Sequence, residues 1–425
     1  MNGITLSGIH PRYNLKTMTF SPVKYFENSD INVVERKNNS QKRKIIKNLF
    51  LYGAMTNTDL GIYIKLSTPK IISLLNELKN EGLIEESGQG NSSGGRRPNL
   101  YGNKENAFYI VGISINIYKT TVSIFNAKNQ KIANDQILPL NISHGTSIID
   151  PIVEFTEKII LDNQIPREKI LGIGIEMPGL VDSETGINKT YMVSQQPVAE
   201  LFREKFGMEV LIENDAKTRA FAELRFGAAR YKRNVLAVHL DWGIGLGIIV
   251  NGKLYKGRDG FAGEFGHLPM VDNGILCKCG KQGCLETIAS GTAIARIARE
   301  GMKAGRSSIL AKLFDDAPEN IEIQQVVKAA TIGDQYSISA LANVGHWLGK
   351  GLAYLIQIFN PELIILGGQL SEANQFILPP IQQSIHIFCN PELANDIQIT
   401  VSELGSQAGI QGVAALLLEH ILDKN

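Results

Sequence analysis

The sequence predicts an α/β protein: an N-terminal winged helix-turn-helix followed by a body of two similar lobes. Three observations predict it. Three helical apolar stripes, with a tight turn before the third, precede two short strand patterns around a Gly-Gly-Arg-Arg-Pro loop. Beyond Ala107 strands and helices alternate, and the opening strand pair of the first unit returns at Val235. The charge divides at the same boundary: residues 1–104 carry 15 Lys+Arg against 8 Asp+Glu, and the remainder 28 against 34. A basic head on a slightly acidic body fits nucleic-acid binding, though charge alone fits a solvated tail as well.

A chain of 425 residues exceeds one ordinary core. With 44% hydrophobic and 20% charged residues, it has the composition of a soluble globular protein. No apolar run reaches the roughly 18–20 residues of a membrane span, and no signal-peptide core opens the chain. Cys277, Cys279 and Cys284 cluster while Cys389 stands apart, which suits a metal site in a reducing compartment better than a disulfide framework. The expected location is the cytoplasm. The expected layout is an arm over 1–39, the winged helix over 40–104, a first lobe over 105–233 and a second over 234–425.

In the head, the pattern turns helical from Ser40. Ile45, Ile46, Leu49 and Phe50 form one stripe beside Lys42, Arg43, Lys44 and Lys47, and Gly53 ends it. Thr56 and Asp59 predict a capping box that opens a short second helix. Ser67 is the expected N-cap of a third helix, with Pro69 in its first turn. That helix carries Ile71, Leu74, Leu75 and Leu78 and stops at Gly82. Leu83-Ile84 and Leu100-Tyr101 read as two short strands. This arrangement would aim Ser67, Thr68 and Lys70 at a major groove. Arg96 and Arg97, between glycines and Pro98, suit a narrow minor groove. Three helices alone could also bind protein; the basic balance and the arginine loop favour DNA.

In the body, Tyr109–Ile115 and Thr120–Phe125 form the first strand pair, followed by a helix near Ile148–Leu161 and buried strands at Ile170–Ile175 and Val210–Glu213. The second unit opens with Val235–Leu240 and Leu246–Val250, the latter ending in an Asn251-Gly252 turn. A long helix near Ile338–Phe359, a strand Leu363–Leu366 ending in Gly367-Gly368, and a helix Ala408–Leu422 complete it. Such a duplication predicts a ligand cleft between the halves.

His267, Cys277, Cys279 and Cys284 supply the Cys₃His set of a closed tetrahedral zinc site, with Gly280 and Gly283 allowing the sharp turn. With four protein ligands there is no open position to activate water, so the expected zinc is structural. Reduced cysteines near an unrelated histidine are the plainer alternative.

Gly263-Glu264-Phe265-Gly266-His267, followed by Cys277-Lys278-Cys279-Gly280-Lys281-Gln282-Gly283-Cys284-Leu285-Glu286, resembles the signature of the ROK family of repressors and sugar kinases. Glu213-Asn214-Asp215-Ala216 and the arginine-bearing winged helix agree, so the resemblance runs from about Ser40 to the C-terminus. It implies an actin-like, two-lobed sugar-kinase fold with the zinc beside a sugar pocket. Asn214, Asp215, Glu264, His267 and Glu286 match the family's sugar contacts, and Asp215 matches its catalytic base. Carboxylates and an amide are apt partners for vicinal hydroxyls.

Kinases of the family resemble Asp-x-Gly-Gly-Thr-Lys on the first hairpin. Here the stretch is Ser114-Ile115-Asn116-Ile117-Tyr118-Lys119, with the acid and both glycines replaced. Their second loop resembles Gly-Thr-Gly-x-Gly-x-Gly, against Asp241-Trp242-Gly243-Ile244-Gly245-Leu246-Gly247 here. An anion at Asp241 repels a phosphate charge 4 Å away by about 4 kcal/mol at an effective dielectric near 20. A retained base does not replace a phosphate site. The expectation is therefore no ATP, no catalytic residue and a vestigial base at Asp215. The chain reads as a sugar-responsive transcriptional regulator, a repressor similar to the xylose- and N-acetylglucosamine-type members, acting as a homodimer or homotetramer. A sugar or sugar phosphate between the lobes would signal through the zinc-held segment to a linker near Tyr101–Ala107. The alternatives are an ATP-dependent sugar kinase with a DNA-binding head, and a regulator controlled by a protein partner.

Overall fold

A computed structural model describes residues 33–90, 97–313 and 318–423. Most of the expected arm, and Arg96 with the loop before it, lie outside the described residues.

The head forms largely as its pattern requires. Its first helix, Val33–Tyr52, buries Ile45, Ile46, Leu49 and Phe50 and ends at Gly53, whose φ of +79° is open to glycine at no steric cost. It is already formed at Val33, ahead of Ser40, because residues 33–39 carry no apolar stripe at helical spacing for periodicity to detect. Lys42 and Arg43, expected beside the stripe, are buried with it, and Lys42 sits 2.8 Å from both Glu77 and Glu81. The second helix, Asn57–Ile64, has the reciprocal Thr56–Asp59 capping box. The third, Thr68–Asn80, seals Ile71, Leu74, Leu75 and Leu78 in the core, each side chain worth roughly 1.5–3 kcal/mol of burial. Ser67 precedes it in extended backbone but makes no side-chain cap bond, so that expectation fails in detail. The wing is the antiparallel pair Ile84–Gln89 and Asn99–Asn103, and Met55–Thr56 adds a short third strand.

The body is built twice on one plan. In the first lobe, Tyr109–Ile115, Lys119–Asn126 and Gln136–Pro139 form an antiparallel meander. Ile170–Met177 then pairs parallel to the first of these, and Val210–Asn214 parallel to it in turn. In the second lobe, Val235–Leu240, Ile244–Val250 and Lys253–Tyr255 repeat the meander, with Leu363–Gly367 and Gln398–Val401 in the two parallel positions. Both five-stranded sheets thus share one order, and the duplication is an actin-like two-lobed fold. The Asn251-Gly252 turn is in the left-handed region at both residues (φ +53° and +72°), as a tight hairpin needs.

Two helices cross between the sheets. Asp215–Phe226 leaves the last strand of the first lobe yet packs on the sheet of the second, while the C-terminal helix Ala408–Asp423 returns to pack on the first. Glycine permits both close contacts: between the helices a Cβ at Gly412 would meet the Thr218 carbonyl oxygen at 2.0 Å, and between the first helix and the second sheet one at Gly247 would meet the Ala220 Cβ at 2.1 Å. Glu223, buried on the first of these helices, accepts hydrogen bonds from the Ala228 amide and from Ser402 at the end of the second sheet.

The head is not tethered loosely. Its first helix lies on the C-terminal helix, with Lys47 2.8 Å from Asp423 and 3.5 Å from Glu419, and a single apolar cluster runs from Ile45 through Phe108 to Leu418. Between head and body, Asn103 is buried and its amide donates to the Ile46 and Ala127 carbonyls. The stretch expected as a linker is thus a bonded junction.

Gly412→Ala is expected to destabilise the chain by about 1–3 kcal/mol, because the carbonyl it meets is backbone and cannot rotate away. Urea unfolding checks it; an unchanged midpoint contradicts the close crossing.

Candidate functional site

The loop after Ile170–Met177 and the start of the crossing helix meet residues of the second lobe in one polar cluster. Asn214 caps that helix: its Oδ1 accepts from the Ala216 and Lys217 amides, and its Nδ2 donates to the Gly179 carbonyl and to Asp215. Asp215 accepts from the Ala216 amide at 2.9 Å and is held at the helix start, where the dipole favours its charge. From the second lobe, Glu264 and His267 face it on the short turn Phe265–His267 and the residue before it. The Glu264 carboxyl sits in a crowded spot: burial, with Asp215 and Glu286 adding to it, pushes its pKa up against Lys217 and His267. Its side chain as a whole is still 41% exposed, so the effect belongs to the carboxyl's immediate surroundings. Glu286 accepts the Ile244 amide at 3.1 Å and pairs with Lys278 at 3.1 Å. The five expected residues therefore converge, with Asn214 and Glu286 partly engaged by the protein itself.

One residue that the motifs did not single out belongs to this group. Lys217, a turn into the crossing helix, is 3% exposed, and burial lowers its pKa against the pull of Glu213, Glu264 and Asp215. It supplies the cation that lets the acidic residues stand close together. Glu213 is likewise buried and pairs with Lys256 at 2.6 Å. Neither was legible as a partner, because Lys256 lies 43 residues away in sequence.

The residues His267, Cys277, Cys279 and Cys284 bring their ligand atoms within 4.8 Å of one another. Gly280 and Gly283 have φ of +87° and +70°, and a Cβ at Gly283 would lie 1.7 Å from the Val271 carbonyl oxygen, so only glycine fits there. Two thiolates about 2.3 Å from one tetrahedral ion stand about 3.8 Å apart; Cys279 and Cys284 are 3.6 Å apart. Without a cation, burial and the neighbouring cysteines push the Cys284 thiol up to about 12, and a bound metal reverses that balance. The donor set can hold a metal such as zinc. His267 turns Nδ1 to Cys277 at 3.5 Å and Nε2 towards Glu264 at 3.9 Å, so one ring faces both the cysteines and the acidic cluster.

The other half of the cleft is a cavity of about 520 Å³. Ser114, Asn116 and Lys119 line it from the first lobe, Asp241, Trp242 and Gly368 from the second. These are the positions of the altered phosphate loops. At the first, the Asn116 amide donates to the Lys119 carbonyl at 2.8 Å and the Ile117 amide to Asn116 Oδ1 at 2.7 Å. At the second, the Asp241 amide donates to the Gly243 carbonyl at 3.1 Å and the Trp242 amide to Asp241 Oδ1 at 3.1 Å. Backbone carbonyls take two of these N–H groups and side-chain oxygens the other two, so none of the four amides is open to form a phosphate-binding nest.

On the head, Ser67 and Thr68 are exposed at the start of the third helix. Lys70 is not on that face: it is half-buried and donates to Asn38 at 2.8 Å. The outward face continues instead through Ile72, Ser73 and Asn76, the complement of the buried stripe, which periodicity could have shown. Arg97 is exposed at the foot of the wing, and Arg96 lies outside the described residues. Part of the head's basic charge is used internally, by Lys42 against Glu77 and Glu81, Lys47 against Glu419 and Asp423, and Lys79 against Glu86.

No helix among the described residues is long and apolar enough to cross a membrane. The xylose repressor of Bacillus spizizenii is 30% identical over 384 residues, covering 90% of this chain and 96% of that protein. A solved ROK family transcriptional regulator, a homologue of the E. coli MLC protein, superposes with a TM-score of 0.75 at 26% identity, over 91% of this chain and 97% of its own. A ROK glucokinase from Streptomyces griseus, solved with glucose and AMPPNP, matches with a TM-score of 0.64 at 29% identity, but over 72% of this chain and 98% of its own. Residues 110–420 match the ROK family, the span that holds both lobes and the Cys₃His loop; the chain belongs to that family.

Proposed function

We propose that the protein is a sugar-responsive, DNA-binding transcriptional regulator, a repressor of carbohydrate uptake or catabolism genes, working in the cytoplasm. One observation carries the reading. The amides that would cradle phosphate are bonded to Asn116 and Asp241, while the head leaves the first turn of its third helix open. The full-length likeness to repressors, against the partial likeness to a kinase, supports it. The kinase alternative has in its favour the retained Asp215 and the likeness to a ROK glucokinase, but phosphoryl transfer depends on phosphate positioning, and both turns have internally bonded amides with an acid at Asp241.

In this mechanism a homodimer sets two third helices in successive major grooves of a pseudo-palindromic operator, with Ser67 and Thr68 towards base edges. Arg96 and Arg97 reach the adjacent minor groove. A sugar or sugar phosphate is held by Asn214, Asp215, Glu264, His267 and Glu286. It acts as inducer by binding the DNA-incompetent arrangement more tightly, since equal affinity for both would shift nothing. The signal runs along the crossing helices to Glu419 and Asp423, which hold Lys47 of the head; the junction at Asn103 moves with it. Zinc on His267, Cys277, Cys279 and Cys284 is structural and fixes the His267 ring against the sugar side.

Selection from random duplexes is expected to yield a two-fold symmetric site. On it, Arg97→Ala should weaken binding and reduce the slope of log K against log salt by about one; an unchanged slope removes Arg97 from the interface. Asp215→Ala should still bind the site but lose release by sugars, and retained release contradicts the proposed pocket. For the wild type, a sugar at 100 times its dissociation constant should stabilise by about 2.7 kcal/mol. Native mass spectrometry should find one zinc per chain. Chelation or Cys279→Ser should lower the melting temperature and abolish sugar binding, and a zinc-free protein that still binds sugar overturns the structural role.

A further inference from the structure

The cavity between the altered loops has no role in the reading above, and its chemistry is specific. Its volume of about 520 Å³ lies within the roughly 300–1,000 Å³ of small-molecule sites. Four of the amides at its turns are bonded internally, two of them to side-chain oxygens that occupy the places phosphate oxygens would take. Its charges also disfavour an anion. Asp241, Glu372, Asp135 and Glu223 line it against Lys119 and Arg219, with His239 3.6 Å from Asp241. Asp135 is matched by Lys131 at 2.7 Å and Glu223 accepts from Ser402 and the Ala228 amide, which leaves Asp241 and Glu372 as acceptors in the lining. Arg219 has a buried Nε–H with no hydrogen-bond partner, although its Nη2 is 3.7 Å from Glu176. The lining also holds the apolar side chains of Val238, Trp242, Ile365 and Ile410.

We infer that this cavity is a second ligand site, for an uncharged, hydroxyl-rich molecule of nucleoside or disaccharide size with one apolar face. Vicinal hydroxyls donate to Asp241 and Glu372, a ligand oxygen accepts from Arg219, and the apolar face lies against Trp242. Carboxylates that repel a phosphate are good acceptors for such hydroxyls, so the substitutions that disable nucleotide binding build the new specificity. The occupant touches both lobes and the start of the C-terminal helix at Ala408, whose far end holds the head. It would therefore act on the same lobe angle as the sugar on the opposite side.

Isothermal titration of the full chain with adenosine, maltose and ADP·Mg²⁺ tests this, the first two separating the nucleoside and disaccharide sources. At least one neutral probe is expected to bind the wild type, and equally the Asp215→Ala variant. Trp242→Ala, or Glu372→Gln should the tryptophan variant fail to fold, should weaken that binding at least tenfold. ADP·Mg²⁺ should bind at least tenfold more weakly than the neutral probe, and Asp241→Asn should narrow that gap. The inference is overturned if neither neutral probe binds, if ADP·Mg²⁺ binds as tightly, or if Asp215→Ala removes the binding while Trp242→Ala and Glu372→Gln leave it intact. Because Asp215 and Trp242 lie in different halves of the cleft, failure here leaves the sugar-response reading standing.

Discussion

The close crossing of the two inter-lobe helices is the constraint on which the rest depends. Gly412 lies against the Thr218 carbonyl and Gly247 against Ala220, so the two sheets are held at a separation that no side chain at those positions would allow. Both functional halves hang from it. The start of one helix carries Asn214, Asp215 and Lys217 into the acidic cluster with Glu264; the end of the other carries Glu419 and Asp423 to Lys47 of the head. Interiors at crystal-like density do not deform smoothly, so a change of lobe angle must move these helices as units.

Polar burial follows the same line. Glu176 is 1% exposed, accepts from Thr218 Oγ at 2.6 Å, and occupies the space a Cβ at Gly409 would need. The same hydroxyl lies 2.8 Å from the Asp215 carbonyl, with which its one proton is shared. Asp215, Thr218, Glu176 and Gly409 thus form a bonded or packed series from the start of the crossing helix to the C-terminal helix. A buried carboxylate tolerates little loss of partners, so such a series resists partial rearrangement and favours two discrete states. Spatial continuity alone is not coupling; the differential affinity of a ligand would have to drive it.

The cleft separates two chemistries that a kinase combines. At one end the acidic and amide groups stand together with a buried Lys217 among them. At the other, Asn116 and Asp241 each accept the amide of the residue that follows, Ile117 and Trp242. The resemblance to kinases is strong in fold and motif order, and the difference lies in a handful of side chains at two turns. Fold alone would not have decided between the two activities.

By itself, the sequence determined the local elements and the motif chemistry. The head's apolar stripes at period 3.6, the Thr56–Asp59 cap, the strand pairs and the Cys₃His loop with its glycines are all written within a few residues of one another, where spacing is enough. Only the tertiary structure decided what depends on distant partners. It showed the first helix already formed at Val33, Lys42 and Lys70 bonded within the head, Lys217 and Lys256 among the acids, and the head fixed on the C-terminal helix. A lysine has the same code on a solvated face as in a buried pair, and which it becomes is set by residues tens to hundreds of positions away. The internally bonded amides of the phosphate turns belong to the same class: the substitutions were legible, but that their oxygens fold back onto the backbone was decided by the turn geometry.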